Sequence, residues 1–188
     1  MRSRLILVGI IIGSIILCSS PMMLTNVGAV SNYYVSVNWL CYTQTHGNFA
    51  ATGLVFINVD GTNYNYGNLT TFYWAYGTTH NLTAYDYVYD GPHGYIYLFE
   101  NWSNSGTQSQ LYTVFGTDTV TANYNTYWAG DILFDHTVDI FSAVAFASAF
   151  GATPSSPNWN VYCDFLHNGV IDIFDAIILA SNFGKTGP

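Results

Sequence analysis

The residues in this chain that could do chemistry are carboxylates, and they crowd toward one end. Asp131, Asp135, Asp139, Asp164, Asp172 and Asp175 all fall in the last third, where Lys185 is the lone basic residue. Carboxylates gathered without counter-charge attract a hard cation, and calcium takes about six to eight oxygen ligands. The spacing supports that chemistry. With Asp164 as position 1, oxygen donors fall at Asp164, Asn168, Asp172 and Asp175 (positions 1, 5, 9 and 12), with Gly169 at the turn and the Val170 carbonyl at position 7. That is the numbering of an EF-hand loop. A thinner set precedes it: Asp131, Asp135, the Thr137 carbonyl, Asp139 and Ser142.

The cofactor expected from these donors is Ca2+, held more completely by the second loop than by the first. Departures from the pattern weaken both. Leu133 and Leu166 stand where position 3 normally supplies an oxygen, and Ser142 replaces the closing carboxylate. His136 takes the first loop's turn position, where a left-handed backbone favours glycine. The alternative is a metal-free pair of helices with both leucines turned into the core.

The elements that carry these loops are a duplication. The stretch from Asp139 to Gly151 returns from Asp172 to Gly184 with eight of thirteen residues identical, at an offset of 33. Each copy is an acidic loop followed by a helix-length apolar run, so repeats are expected at 131–151 and 164–184. The runs are apolar nearly all round. Ile140, Phe141 and Val144 in the first, and Ile173, Phe174, Ile177 and Ile178 in the second, are more surface than two short helices can hide from each other. They are the candidate partner-binding residues.

Two spaced acidic loops, each followed by one helix, resemble a dockerin of the archaeal or bacterial type, in degenerate form. The likeness runs from 130 to 185 and includes the Pro157-Asn158-Trp159-Asn160 lead-in to the second loop. It implies a small all-α pair of calcium-loop–helix units that docks onto a cohesin-type receptor. Packing against a neighbouring module of the same chain is the competing use of the apolar surface.

Upstream, from 31 to 127, the sequence reads as strands and turns. Tyr33, Val35, Val37 and Trp39 alternate with polar or wetter residues, the period of a half-buried strand. Leu54 to Val59 ends at Asp60-Gly61, a hairpin signal. Further runs at 71–74, 81–85, 95–102, 110–115 and 117–124 are separated by Gly-, Pro- and Asn-rich turns. Strands so spaced predict a β-sandwich, Ig-like or B-repeat-like. The stretch Gly77-Thr78-Thr79-His80-Asn81-Leu82-Thr83-Ala84, with Tyr97-Leu98-Phe99-Glu100-Asn101-Trp102-Ser103, resembles divergent internalin-type B-repeats of surface proteins. That resemblance implies a spacer or adhesive unit, with Phe99 and Trp102 as core anchors.

Composition narrows the function classes. The formal net charge is −8, and two of the three basic residues, Arg2 and Arg4, sit in an N-terminal segment built like an export signal. There a basic start precedes an apolar run from Leu5 to Leu17 and a Val27-Gly28-Ala29 cleavage pattern. A signal peptide at 1–29 is expected, giving a secreted or cell-surface protein; a retained membrane anchor is the alternative, since Met22, Met23 and Leu24 extend the apolar stretch. Without a basic face the protein is not expected to bind nucleic acid. Cys41 and Cys163 could pair outside the cell. No residues form a nucleophile–base pattern, and the carboxylates outside the loops do not suggest a glycosidase pair, so no enzyme is expected. A carbohydrate-binding surface module is one rival reading, with Tyr66, Tyr73, Trp74, Tyr76, Tyr85, Tyr87 and Tyr89 as stacking rings. A filament or coat subunit is another.

Overall fold

The computed structural model describes residues 30–188 apart from 44–46, 50–52 and 66–69. The expected export signal at 1–29 lies outside the described residues, as does Tyr66.

Alternation in the sequence becomes strands with one dry face. In β1 (Asn32–Thr43), Val35, Val37, Trp39 and Cys41 are buried, while Tyr34 and Tyr42 on the opposite side stay exposed. β1 runs parallel to the last strand, β10 (Asp118–Trp128), in register from Val35 opposite Asp118 to Tyr42 opposite Asn125. The first sheet has the order β2-β1-β10-β8-β7, formed with β2 (Gly47–Phe49), β8 (Tyr95–Trp102) and β7 (Tyr87–Asp90); β5 (Thr71–Ala75) also pairs with β1. The second sheet has the order β4-β3-β6-β9, built from β3 (Val55–Val59), β4 (Thr62–Asn65), β6 (Thr79–Ala84) and β9 (Ser109–Thr113). The fold is mainly β, two sheets facing each other as a sandwich.

Between the sheets lie Phe56, Leu82, Tyr97, Trp102 and Tyr124 with the inward side of β1. A buried phenol needs a partner, and the Tyr124 hydroxyl has two. It donates toward the Phe56 carbonyl at 2.7 Å and the Tyr85 carbonyl at 2.9 Å, joining the sheets. Trp102 is fully buried and Phe99 packs beside it, as expected of core anchors. The Asp60-Gly61 turn has φ of +50° and +85°, the left-handed pair of a tight hairpin. β2, β4 and β7 were not expected, because each is too short to show a period.

The C-terminal part holds two short helices, α1 (Ile140–Ala149) and α2 (Ile173–Asn182), and a 3-10 turn at Val161–Cys163. A second core gathers Ile132, Val138, Phe146, Phe165, Ile171 and Leu179 with Ile96 from the sandwich. Cys41 is buried in the first core and Cys163, buried in the second, is a free thiol, so the Cys41–Cys163 pairing left open by the sequence is not formed. Among the described residues no helix is long and apolar enough to cross a membrane.

Where the helical part meets the sandwich, contact is close and specific. Gly130 has φ +108°, and a Cβ there would stand 3.1 Å from the Leu179 Cα. The Asn182 amide donates to the Ala129 carbonyl at 2.7 Å. Lys185 Nζ donates to Asn182 Oδ1 at 2.7 Å and lies 3.9 Å over the Trp128 ring, a cation–π contact. The Trp128 indole N–H donates to the Gly187 carbonyl. The chain's lone C-terminal cation thus fastens the tail to the end of β10.

Candidate functional site

Each loop is shaped by its own carboxylates. In the second, Asp164 accepts from the amides of Asn168 at 3.1 Å and Gly169 at 2.9 Å. Asn168 Oδ1 accepts from the Val170 amide at 2.9 Å. Asp175 is fully buried and satisfied at both oxygens, by the amides of Leu166 at 3.2 Å and Asp172 at 3.0 Å. Asp172 caps α2 and completes a capping box with Asp175, an arrangement that stabilises a helix start by about 1 kcal/mol.

The first loop is built alike but is left incomplete. Asp131 Oδ1 accepts from the Asp135 amide at 3.2 Å, and Asp135 Oδ1 accepts from the Thr137 amide at 3.0 Å. Asp139 caps α1 through the Phe141 and Ser142 amides. Ser142, at the closing position, donates to the Thr137 carbonyl at 3.3 Å. Asp131 is fully buried, yet its Oδ2 has no partner. Burial pushes its carboxyl up to about 6; the Asp135 amide opposes that rise, the Asp135 charge adds to it, and the His136 and Phe134 amides oppose it more weakly, without a full hydrogen bond to Oδ2.

Two sequence departures have a structural outcome. His136 adopts the left-handed backbone of the missing glycine, φ +64°, and stacks on Tyr127 with ring centroids 4.6 Å apart. Leu133 and Leu166 stay exposed rather than turning into the core. As to a cation, the donors fit in part. The unpartnered Asp131 oxygen is the kind of group an ion would satisfy, whereas the second loop's carboxylates already hold backbone amides. Among the described residues no three His, Cys, Asp or Glu side chains converge as a metal cluster.

The helices share one design. α1 buries Ser142, Phe146 and Ala149; α2 buries Asp175, Leu179 and Asn182, the same positions shifted by 33. The opposite face of each stays open: Ile140, Phe141 and Val144 on α1, and their counterparts Ile173, Phe174 and Ile177 on α2. Phe141 is 65% exposed and Phe174 60%. Ile178, expected on the same surface, is instead half-buried against the second core. The sandwich covers the inner sides of the helical part only.

The aromatic set expected to form a stacking face is dispersed. Tyr87 lies at the junction, beside Tyr162 and His167, and Tyr89 packs on the second core. Trp74 stacks on His80 at 3.7 Å. Tyr73 is exposed but pairs with Tyr34 on the edge of the first sheet. The Lys185–Trp128–Asn182 contact was not foreseen. Its one signal in the sequence was a lone cation among acids.

No family model and no curated protein matches the chain. Among solved structures, a type II cohesin-dockerin domain from Bacteroides cellolosolvens is similar over 31% of this chain and 87% of that one, at 34% identity and a TM-score of 0.27. An N-terminal interface mutant of a type II Cohesin-X-Dockerin complex from Acetivibrio cellulolyticus is similar over 82% of this chain and 97% of that one, at 13% identity and a TM-score of 0.32. A C-terminal interface mutant of that complex is similar over 83% and 97%, at 11% identity and a TM-score of 0.30.

Proposed function

We propose that this is an exported, non-enzymatic attachment protein of two modules, a β-sandwich at 31–127 and a dockerin-like docking module at 128–188. One observation carries the reading: two helices with equivalent buried positions expose equivalent apolar triplets, Ile140/Phe141/Val144 and Ile173/Phe174/Ile177. A surface of this kind loses free energy to water unless another protein covers it, by about 25 cal/mol for each Å² left wet. The partner is a cohesin-type receptor, and the sandwich holds the module away from its anchorage as a spacer or adhesive unit. Calcium orders the loops, and the buried Asp131 oxygen is the clearest call for it.

The test is isothermal titration of the full chain against a panel of cohesin domains, in calcium and in EDTA, beside light scattering of the chain alone. Saturable binding to at least one cohesin, lost in the double variant Phe141→Glu/Phe174→Glu with unchanged melting, supports docking. A monomer that binds none of them, or binding indifferent to that variant, removes it. Self-association through the same residues would point to the filament reading instead.

A further inference from the structure

We infer that the sandwich carries a binding site for a neutral polysaccharide on the outer face of β1, β10 and β8, away from the helical faces and from the tyrosines that the sequence put forward. Across these strands, Leu40 stands opposite Asn123 and Asn123 opposite Asn101; Tyr42 stands opposite Asn125 and Asn125 opposite Leu98. The β10–β8 register slips between Asn123 and Tyr124, and this bulge places Glu100 between the two rows. Bulges commonly re-aim a side chain in this way. A hollow of about 370 Å³ opens here, lined by Leu40, Tyr42, Glu100, Asn123, Tyr124 and Asn125. Glu100 also borders a second, broader concavity of about 690 Å³ that follows residues 99–103 and the turn to Gln108. Both fall within the roughly 300–1,000 Å³ of ligand sites.

The lining chooses the ligand. Tyr42 is half-exposed, 51%, and offers a ring for a sugar face. Asn123 donates to Asn101 at 2.8 Å, which fixes both amides and leaves the Asn123 oxygen and the Asn101 amide hydrogens free for hydroxyl groups. Among the described residues, neither the Glu100 carboxylate nor the Asn125 amide has a side-chain hydrogen bond. An array of amides, one carboxylate and a phenol matches a ligand that is all hydroxyls. It repels anionic chains, because Lys185, the one basic side chain among the described residues, is held over Trp128. Glu100 borders both concavities, so a chain of several sugars can make contacts in each that a single sugar cannot.

The test is affinity electrophoresis of the full chain in native gels cast with hydroxyethylcellulose, xylan or galactomannan, with polygalacturonate as the anionic control. Retardation by at least one neutral polymer and none by polygalacturonate is expected. Tyr42→Ala and Glu100→Gln, both at exposed positions, should reduce the retardation at least fivefold with unchanged melting, while Tyr73→Ala and Phe141→Glu leave it intact. No retardation by any neutral polymer overturns the site, as does retardation that survives Tyr42→Ala or is matched by polygalacturonate. The Phe141→Glu arm keeps this result independent of protein docking.

Discussion

Val138 and Ile171 occupy the same position in the two repeats, and each is strapped by backbone that follows the other repeat's helix. The Val138 amide donates to the Lys185 carbonyl at 3.0 Å, and its carbonyl accepts from Gly184 at 2.7 Å. The Ile171 amide donates to the Ala152 carbonyl at 3.0 Å, and its carbonyl accepts from Gly151 at 2.8 Å. The hydrogen bonds therefore repeat with the sequence. Gly151 and Gly184 make both straps possible, with φ of +79° and +84° just past each helix.

This exchange predicts that neither repeat is stable by itself. A chain ending at Phe183 loses both bonds to Val138. Its amide, slow to exchange in the full chain, should then exchange at least tenfold faster, while Ile171, strapped by residues that remain, changes less. Hydrogen-exchange NMR reads both sites in one experiment. Ile171→Ala, at a fully buried position, should cost about 2–4 kcal/mol in urea unfolding.

Asp131 predicts a pH dependence. Burial pushes its folded carboxyl up to about 6 from an ordinary 3.8, so between those values the folded protein holds a proton that the unfolded chain releases. In EDTA this favourable contribution is present in full below about pH 4 and disappears as the pH rises through about 6. The loss is at most about 3 kcal/mol. Asp131→Asn should flatten that slope in thermal melts from pH 4 to 7. Added calcium should raise the melting temperature of the parent chain near pH 7 and do little near pH 4, where the proton competes. A slope unchanged by Asp131→Asn would show that another group is responsible.

Lys185→Met should loosen the tail by about 1–2 kcal/mol, since it removes the cation over Trp128 and the hydrogen bond to Asn182. Both partners are uncharged, so this is no ion pair and the gap between parent and variant should persist as salt is added. Urea titrations at low and high salt check it.

Gly130→Ala should be more damaging than any surface change. The added Cβ would lie 3.1 Å from the Leu179 backbone and from Val138 Cγ1, at a φ that alanine resists. A destabilisation of about 2–3 kcal/mol is expected from differential scanning calorimetry. Gly61→Ala has open space around its Cβ and only the backbone penalty, so it should cost less.

Much of this was legible in the residues. The alternation in 33–39 fixed which side of β1 is dry, because a strand turns every second side chain to the same face. The offset of 33 announced two equivalent loop–helix units, and their caps proved equivalent, with Asp139 and Asp172 each in extended conformation. Short polar strands such as β4 and β7 escaped, since four residues carry too little pattern and are held by their neighbours. The stacking face escaped too: Tyr73 on β5 lies beside β1, while Tyr87 and Tyr89 on β7 lie at the far edge of the same sheet, against the second core.

The sequence by itself determined the two halves, the duplicated acidic loops and the excess of apolar surface on the helices, because composition and periodicity act locally along the chain. Only the tertiary structure decided which apolar residues that excess comprises. Ile178 turns inward while Ile177 stays in water. It also decided that each loop is closed by the opposite repeat, and that Asp131 is left with an unanswered oxygen while Asp164 is not. These outcomes depend on which distant backbone arrives beside a residue. Spacing along the chain cannot encode that, since close packing is settled between elements rather than within them.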